Sequence, residues 1–333
     1  MIQAPATPEP PLAPARTPGV TRGAEIAAAF RASRRELTIA AVIVAWIGAG
    51  AVLESHATIW PQRALGVITW GVLLLILRGE RRDVRAQVAI VILVATAMEY
   101  TASGLVGLYT YRLHNVPLFV PPGHGLLYLT ALALGRSQLF AVLRRPVIVT
   151  TLAVGGAWAI WGLALSPRSD VFGAIFFVCL VGFLLAGRAP LVYAGAFLVC
   201  SYLELMGTSV GTWAWATHDP TGLVSIGNPP SGIPGAYCFF DAAALAGTAW
   251  LLGMTDAVGA RIWRHAPRPR IAWRDASADT RPVHKPRNAG SRHREGVDRP
   301  RRGARTDACA DHRLRRWSSR RHAAAASARA ARG

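Results

Sequence analysis

Two glutamates stand inside strongly apolar runs of this 333-residue chain, Glu99 in "AMEYTASGLVG" and Glu204 in "YLELMGTSVG". A carboxyl in such surroundings can give up a proton as a general acid or take one as a base. Each is followed four residues later by a hydroxyl, Ser103 or Thr208, which a helix places on the same face. A third acid, Asp241 in "YCFFDAAAL", enters the last apolar run beside Tyr237. Ionisable groups inside membrane spans are costly, and they usually face a bundle interior or a water-filled cavity. The plainer alternative is a hydrogen bond to a neighbouring helix. Two glutamates at matching places, joined by Asp241, favour a working site.

Each glutamate leads into the same unusual loop. Residues 107–125 read "GLYTYRLHNVPLFVPPGHG", and residues 211–232 read "GTWAWATHDPTGLVSIGNPPSG". Both begin Gly-x-aromatic-x-aromatic, place a His three residues after the second aromatic, and end near a Pro-Pro pair. Alternation along an extended segment puts Tyr109 with Tyr111, and Trp213 with Trp215, on one side. These rings are read either as an interfacial belt or as the wall of a substrate pocket, with Tyr237 beside them. His124, between two glycines where the chain re-enters an apolar run, joins the candidate catalytic set of Glu99, Glu204 and Asp241. His114 and His218 read as solvated loop residues. No metal-ligand spacing such as His-x-x-x-His occurs, so no metal is assigned. No phosphate-binding loop or serine nucleophile elbow occurs in suitable context, so no cofactor is assigned and serine hydrolysis is set aside.

The elements that must position these groups are membrane helices. Eight apolar blocks recur: 37–53, 64–77, 86–107, 118–134, 146–165, 171–187, 189–206 and 236–259. A span needs about 20 such residues, with a range of roughly 17 to 25. The fold expected is an all-α polytopic transmembrane bundle of eight spans, in two similar four-helix halves, 37–134 and 146–259. A Pro/Ala/Arg-rich segment, 1–36, precedes it, and an Arg-rich tail, 260–333, follows and is expected to be disordered.

The net charge of +19 suggests nucleic acid only until it is located. Residues 261–333 hold 21 of the 37 basic residues and 6 of the 18 acids, which leaves +15 of the +19 in the tail. That pattern fits contact with anionic lipid headgroups and calls for no specific nucleic-acid partner. With eight spans, one side of the membrane before the tail receives 13 arginines and the other only Arg63, Arg112 and Arg168. The positive-inside rule then sets both termini in the cytoplasm and both aromatic loops outside, in a cell membrane. The second loop, 207–235, has no Lys or Arg, which argues against a large anionic substrate. Cys179, Cys200 and Cys238 fall in apolar blocks, where a thiol packs as a small hydrophobe.

The order Glu, Gly-x-Tyr-x-Tyr and "VPLFVP", then Glu, Gly-x-Trp-x-Trp and "GIPGAY", resembles the carotenoid-hydratase membrane family of the bacterioruberin pathway. The similarity covers roughly residues 95–130 and 200–245, and departs from the family in "PPGHG", "SIGNPPSG" and the basic tail. It implies a polytopic enzyme that adds water to an isoprenoid double bond, with Glu99, Glu204 and Asp241 protonating the bond and activating water. The residues themselves leave three function classes open. They are an acid/base enzyme acting on a lipid-like small molecule, a proton- or cation-coupled transporter, and a membrane scaffold whose aromatic loops only anchor it.

Overall fold

The structure is a computed structural model that describes residues 21–265, with side chains described through residue 255. The chain divides into two units, Met1–Pro267 and Arg268–Gly333, and only the first falls among these residues. Residues 1–20 of the expected N-terminal segment and 266–333 of the expected tail lie outside them, whereas residues 260–265, also assigned to the tail, belong to the last helix. Ten helices follow one another: α1 (Arg22–Ala32), α2 (Arg34–Ser55), α3 (Ile59–Arg78), α4 (Arg82–Glu99), α5 (Val120–Arg136), α6 (Gln138–Val142), α7 (Arg144–Ala164), α8 (Val171–Ala186), α9 (Pro190–Ser209) and α10 (Pro234–His265). A π-helical segment, Tyr100–Val106, extends α4, and two short strands follow the glutamate-bearing helices, β1 (Tyr109–Tyr111) and β2 (Trp213–Trp215).

Six helices among the described residues are long and apolar enough to cross a membrane: α2, α3, α4 with its π-helical extension, α7, α9 and α10 over Pro234–Thr255. The other two apolar blocks are also helical but shorter, α5 with 17 residues and α8 with 16. Outward-facing positions on the long helices carry Leu75, Leu93, Ile160 and Trp250, all exposed. In water such a surface would aggregate; against lipid tails it costs nothing. The chain is therefore a multi-pass membrane protein with buried acids.

The core is built around α5 and α9. Nearly every residue of α5 is buried, Val120, Leu126, Leu127, Tyr128, Ala131 and Gly135 among them. Small residues let the two helices touch along their backbones, as is common where lipid supplies no hydrophobic drive for helix association. A Cβ at Gly135 would stand 2.6 Å from Val192 Cγ2, and one at Gly195 would stand 2.8 Å from the Ala131 carbonyl oxygen. Helix α5 packs on α9, and α10 packs on α4, so the helix after each aromatic loop lies against the helix that carries the other glutamate.

Away from the strands, an ionic cluster ties α2, the α3–α4 turn and α5 together. Glu80 accepts from Arg35 at 2.7 Å and from the two terminal nitrogens of Arg136 at 2.8 and 2.9 Å. Burial pushes the Glu80 carboxyl up, but the hydrogen bonds and charges of Arg136, and then Arg35, outweigh it and hold the group below its ordinary value. A carboxylate lowered on folding stabilises the fold above the unfolded-state pKa of about 4.3, and that contribution is lost as pH falls through the lowered value. The stability gap between wild type and Glu80→Gln, followed by thermal unfolding in detergent, is therefore expected to be full near neutrality and to close in acid.

Candidate functional site

The repeated glycines explain the repeated loop. Gly107 and Gly211 both adopt left-handed backbone, with φ of 74° and 75°. Each turns the chain sharply as its helix ends. The Leu108 N–H then donates to the Ala102 carbonyl at 2.8 Å, and the Thr212 N–H donates to that of Gly207 at 2.8 Å. The two strands pair antiparallel, Tyr109 opposite Trp215 and Tyr111 opposite Trp213. The Ala216 N–H to Leu108 and the Arg112 N–H to Thr212 extend the pairing by one bond at each end, at 2.8 and 3.0 Å. All four rings lie on the buried face, with Thr110 and Ala214 outward. Substituting Ala at Gly107 or Gly211 forces a side chain into a conformation that costs about 1–2 kcal/mol. The expected result is a lower melting temperature for either variant.

The rings are hydrogen-bond donors before they are walls. The Tyr109 and Tyr111 hydroxyls donate to Glu99 Oε2 at 2.5 and 2.8 Å. In the other half, the Trp213 and Trp215 indole N–H groups both donate to Glu204 Oε2 at 3.1 Å. Burial, and then the neighbouring Glu99 charge, push both phenols well above their ordinary range, so each stays an O–H donor. Gly207 makes the second clamp possible, because a Cβ there would stand 1.9 Å from the Trp213 ring. The hydroxyls on the helices are not partners of the carboxylates. Thr208 donates to the Glu204 backbone carbonyl at 2.7 Å, and Ser103 makes no side-chain hydrogen bond among the described residues.

His124 completes the first half. Its Nδ1 lies 3.0 Å from the Val120 carbonyl and must carry hydrogen to bond there. Its Nε2 lies 3.3 Å from Glu99 Oε1. With Nδ1 committed, Nε2 is the ring nitrogen left to face Glu99. Tyr237 stacks on the imidazole, ring centres 5.5 Å apart and planes within 14°. Glu99, His124, Glu204, Tyr237 and the four strand aromatics all line one cavity of ≈ 190 Å³. Its remaining walls are apolar, among them Leu127, Phe172, Phe176 and Phe240. Met98, also in the wall, is 47% exposed on the flank of α4.

Asp241 is not brought to this cavity. It lies one turn along α10 from Tyr237, beside a separate void of ≈ 10 Å³ bounded by His124, Tyr128 and Cys200. It is 4% exposed, and its Oδ2 has no hydrogen-bond partner among the described residues. His114 and His218 are exposed and stand apart from the cavity lining.

Two groups that position the strands went unread in the sequence. Buried Glu54 at the end of α2 accepts from Arg112 at 3.1 Å and from Gln62 at 2.9 Å, and Asn115 donates to Gln62 at 2.9 Å. Arg112 also caps the carbonyls of Glu54 and Ala57 at 2.6 and 2.5 Å. In the second half, Arg168 donates to the carbonyls of Ile226, Trp215 and Ala216. Asp170 accepts the backbone N–H groups of Gly173, Gly227 and Ser231 at 2.9, 2.8 and 2.7 Å. The available signal was that Arg112 and Arg168 are isolated cations in apolar loops, each with one acid at the end of a nearby helix. Compared with family models, with curated proteins and with solved structures, the chain finds no match in any of the three, so the function is read from the geometry of this cavity.

Proposed function

We propose that the protein is a membrane-embedded enzyme that adds water to a carbon–carbon double bond of an isoprenoid or similar apolar lipid. The observation that carries this reading is the meeting of Glu99 and Glu204, from different helices, on a single, largely apolar cavity whose wall includes the outwardly exposed Met98. A scaffold would leave the two acids facing apart; here each is hydrogen-bonded by the aromatic pair of its own loop, yet both line the same cavity. A proton on Glu99 passes to one alkene carbon, whose π pair forms the new C–H bond. The other carbon becomes cationic and takes the oxygen of a water molecule, and the proton released from that water goes to Glu204. Return of a proton from Glu204 to Glu99 through cavity water restores the starting state, and alkene plus water has become alcohol. The resemblance to carotenoid hydratases supports the same chemistry and names the isoprenoid class.

The wider architecture belongs to this proposal. All eight apolar helices cross the membrane, with both termini and the basic tail in the cytoplasm, where the tail meets anionic headgroups, and with the strands outside. The halves 37–134 and 146–259 are repeats. Support comes from the reciprocal packing of α5 on α9 and α10 on α4, and from the shared order of glutamate, left-handed glycine and paired aromatics. The direct test is the lipid extract of a deletion strain. Accumulation of an apolar lipid lacking one hydroxyl, reversed by the intact gene, is expected; an extract identical to wild type would count against the enzyme.

One observation favours a second reading, a proton-coupled transporter: the unpartnered Asp241 oxygen lies beyond His124, farther into the bundle. Proton uptake by vesicles holding the protein, abolished in Asp241→Asn with lipid profiles unchanged, would select it.

A further inference from the structure

The two carboxyl groups on the cavity are not equally provided for. Glu99 accepts the Tyr109 and Tyr111 hydroxyls on Oε2, and His124 Nε2 lies 3.3 Å from its Oε1. Glu204 is different. It is 3% exposed, both of its N–H donors bind Oε2, and Oε1 has no hydrogen bond among the described residues. No Lys or Arg lines the cavity among the described residues. When ionised, Glu204 places a negative charge with no Lys or Arg beside it in an apolar space, which is costly unless the carboxyl takes a proton or a positive group enters.

The walls suit such a group. Nine of the 22 lining residues are Phe, Tyr or Trp, and a cation near an aromatic face is attracted by the ring, more strongly where water is excluded. A metal ion is poorly served here, since the hard cations want about six or more oxygen ligands. An organic cation, which needs only one counter-charge and ring faces, fits better. We propose that the cavity is a binding site for a positively charged group carried on an apolar chain, with Glu204 Oε1 as its counter-charge and the aromatic rings as its walls. The inference rests on the hydratase reading in one respect: the carbon cation formed when a double bond is protonated is such a group. A permanent alkylammonium is its stable stand-in and would also be a ligand in its own right.

The test compares octyltrimethylammonium with 1-octanol, by calorimetric titration of the full chain in neutral maltoside micelles. The ammonium is expected to bind about tenfold tighter, the equivalent of about 1.4 kcal/mol, and choline, which lacks the chain, is expected to bind far more weakly. Glu204→Gln is expected to remove most of that preference, because it removes the counter-charge and keeps the size of the side chain. Glu204→Met serves the same comparison where the amide variant does not fold. Equal affinity of the two octyl compounds, or a preference unchanged without the Glu204 charge, overturns the inference. Ammonium preference with normal lipids in a Glu99→Gln strain rejects the enzyme and leaves a site for cationic amphiphiles. Equal affinities with altered lipids reject the cation site alone.

Discussion

If the proposed hydration is the reaction, Glu99→Gln is expected to lower its rate by about 10²–10⁴-fold, the usual worth of a positioned general acid. An amide cannot release the proton that the step needs, although it can still accept the Tyr109 and Tyr111 hydroxyls through its carbonyl oxygen. The clamp therefore survives, and the loss falls on the chemical step rather than on the fold. The conservative comparison is Tyr111→Phe, which withdraws one donor and leaves the acid in place. Its effect is expected to be much the smaller. Turnover in membranes carrying each variant, normalised to the amount of folded protein, is the measurement. Equal activities of Glu99→Gln and Tyr111→Phe would remove Glu99 from the chemistry.

The largest effect on stability is expected at Arg112. Its guanidinium is the cation beside Glu54, whose side chain is 1% exposed, and it caps two carbonyls at the turn between α2 and α3. Arg112→Ala leaves a buried carboxylate with only Gln62 for a partner, and breaking a buried pair in this way costs about 3–5 kcal/mol. Because Arg112 directly follows β1, the first strand should loosen as well. The double variant Glu54→Gln with Arg112→Ala removes the stranded charge. It is expected to recover part of the loss, as interacting neighbours do in a double-mutant cycle. Thermal unfolding of the four proteins in one detergent reads both terms. Additive losses would mean that the pair is not coupled.

The sequence carried the carboxylates and the aromatic pairs because each pattern is written twice. Repetition at matching places separates Glu99 and Glu204 from ordinary buried acids, and the left-handed glycines keep the two loops alike. The donor role of the rings was not legible. It depends on the strand register that sets Tyr109 against Trp215, and on Gly207 leaving room for the Trp213 indole. Asp241 was grouped with the glutamates because it is a third acid entering the last apolar run just after the second loop, one helical turn beyond Tyr237. That turn, about 6 Å of rise, carries it past His124 and Phe240 to a separate void. The Arg112–Glu54 pair joins residues 58 positions apart, and spacing alone does not announce such a contact. The π-helical segment after Glu99 left no signal in hydropathy, since it changes the winding of the chain and not its composition.

Isotope transfer tests the central claim most directly. Membranes holding the protein are supplied with the lipid extract of the deletion strain in water enriched in heavy oxygen and deuterium. The expected result is a lipid heavier by one water, with the labelled oxygen on one carbon and deuterium bound to its neighbour, absent in Glu99→Gln and Glu204→Gln membranes. Recovery of every lipid unlabelled by the wild-type protein, with the fold intact, would contradict hydration at this cavity.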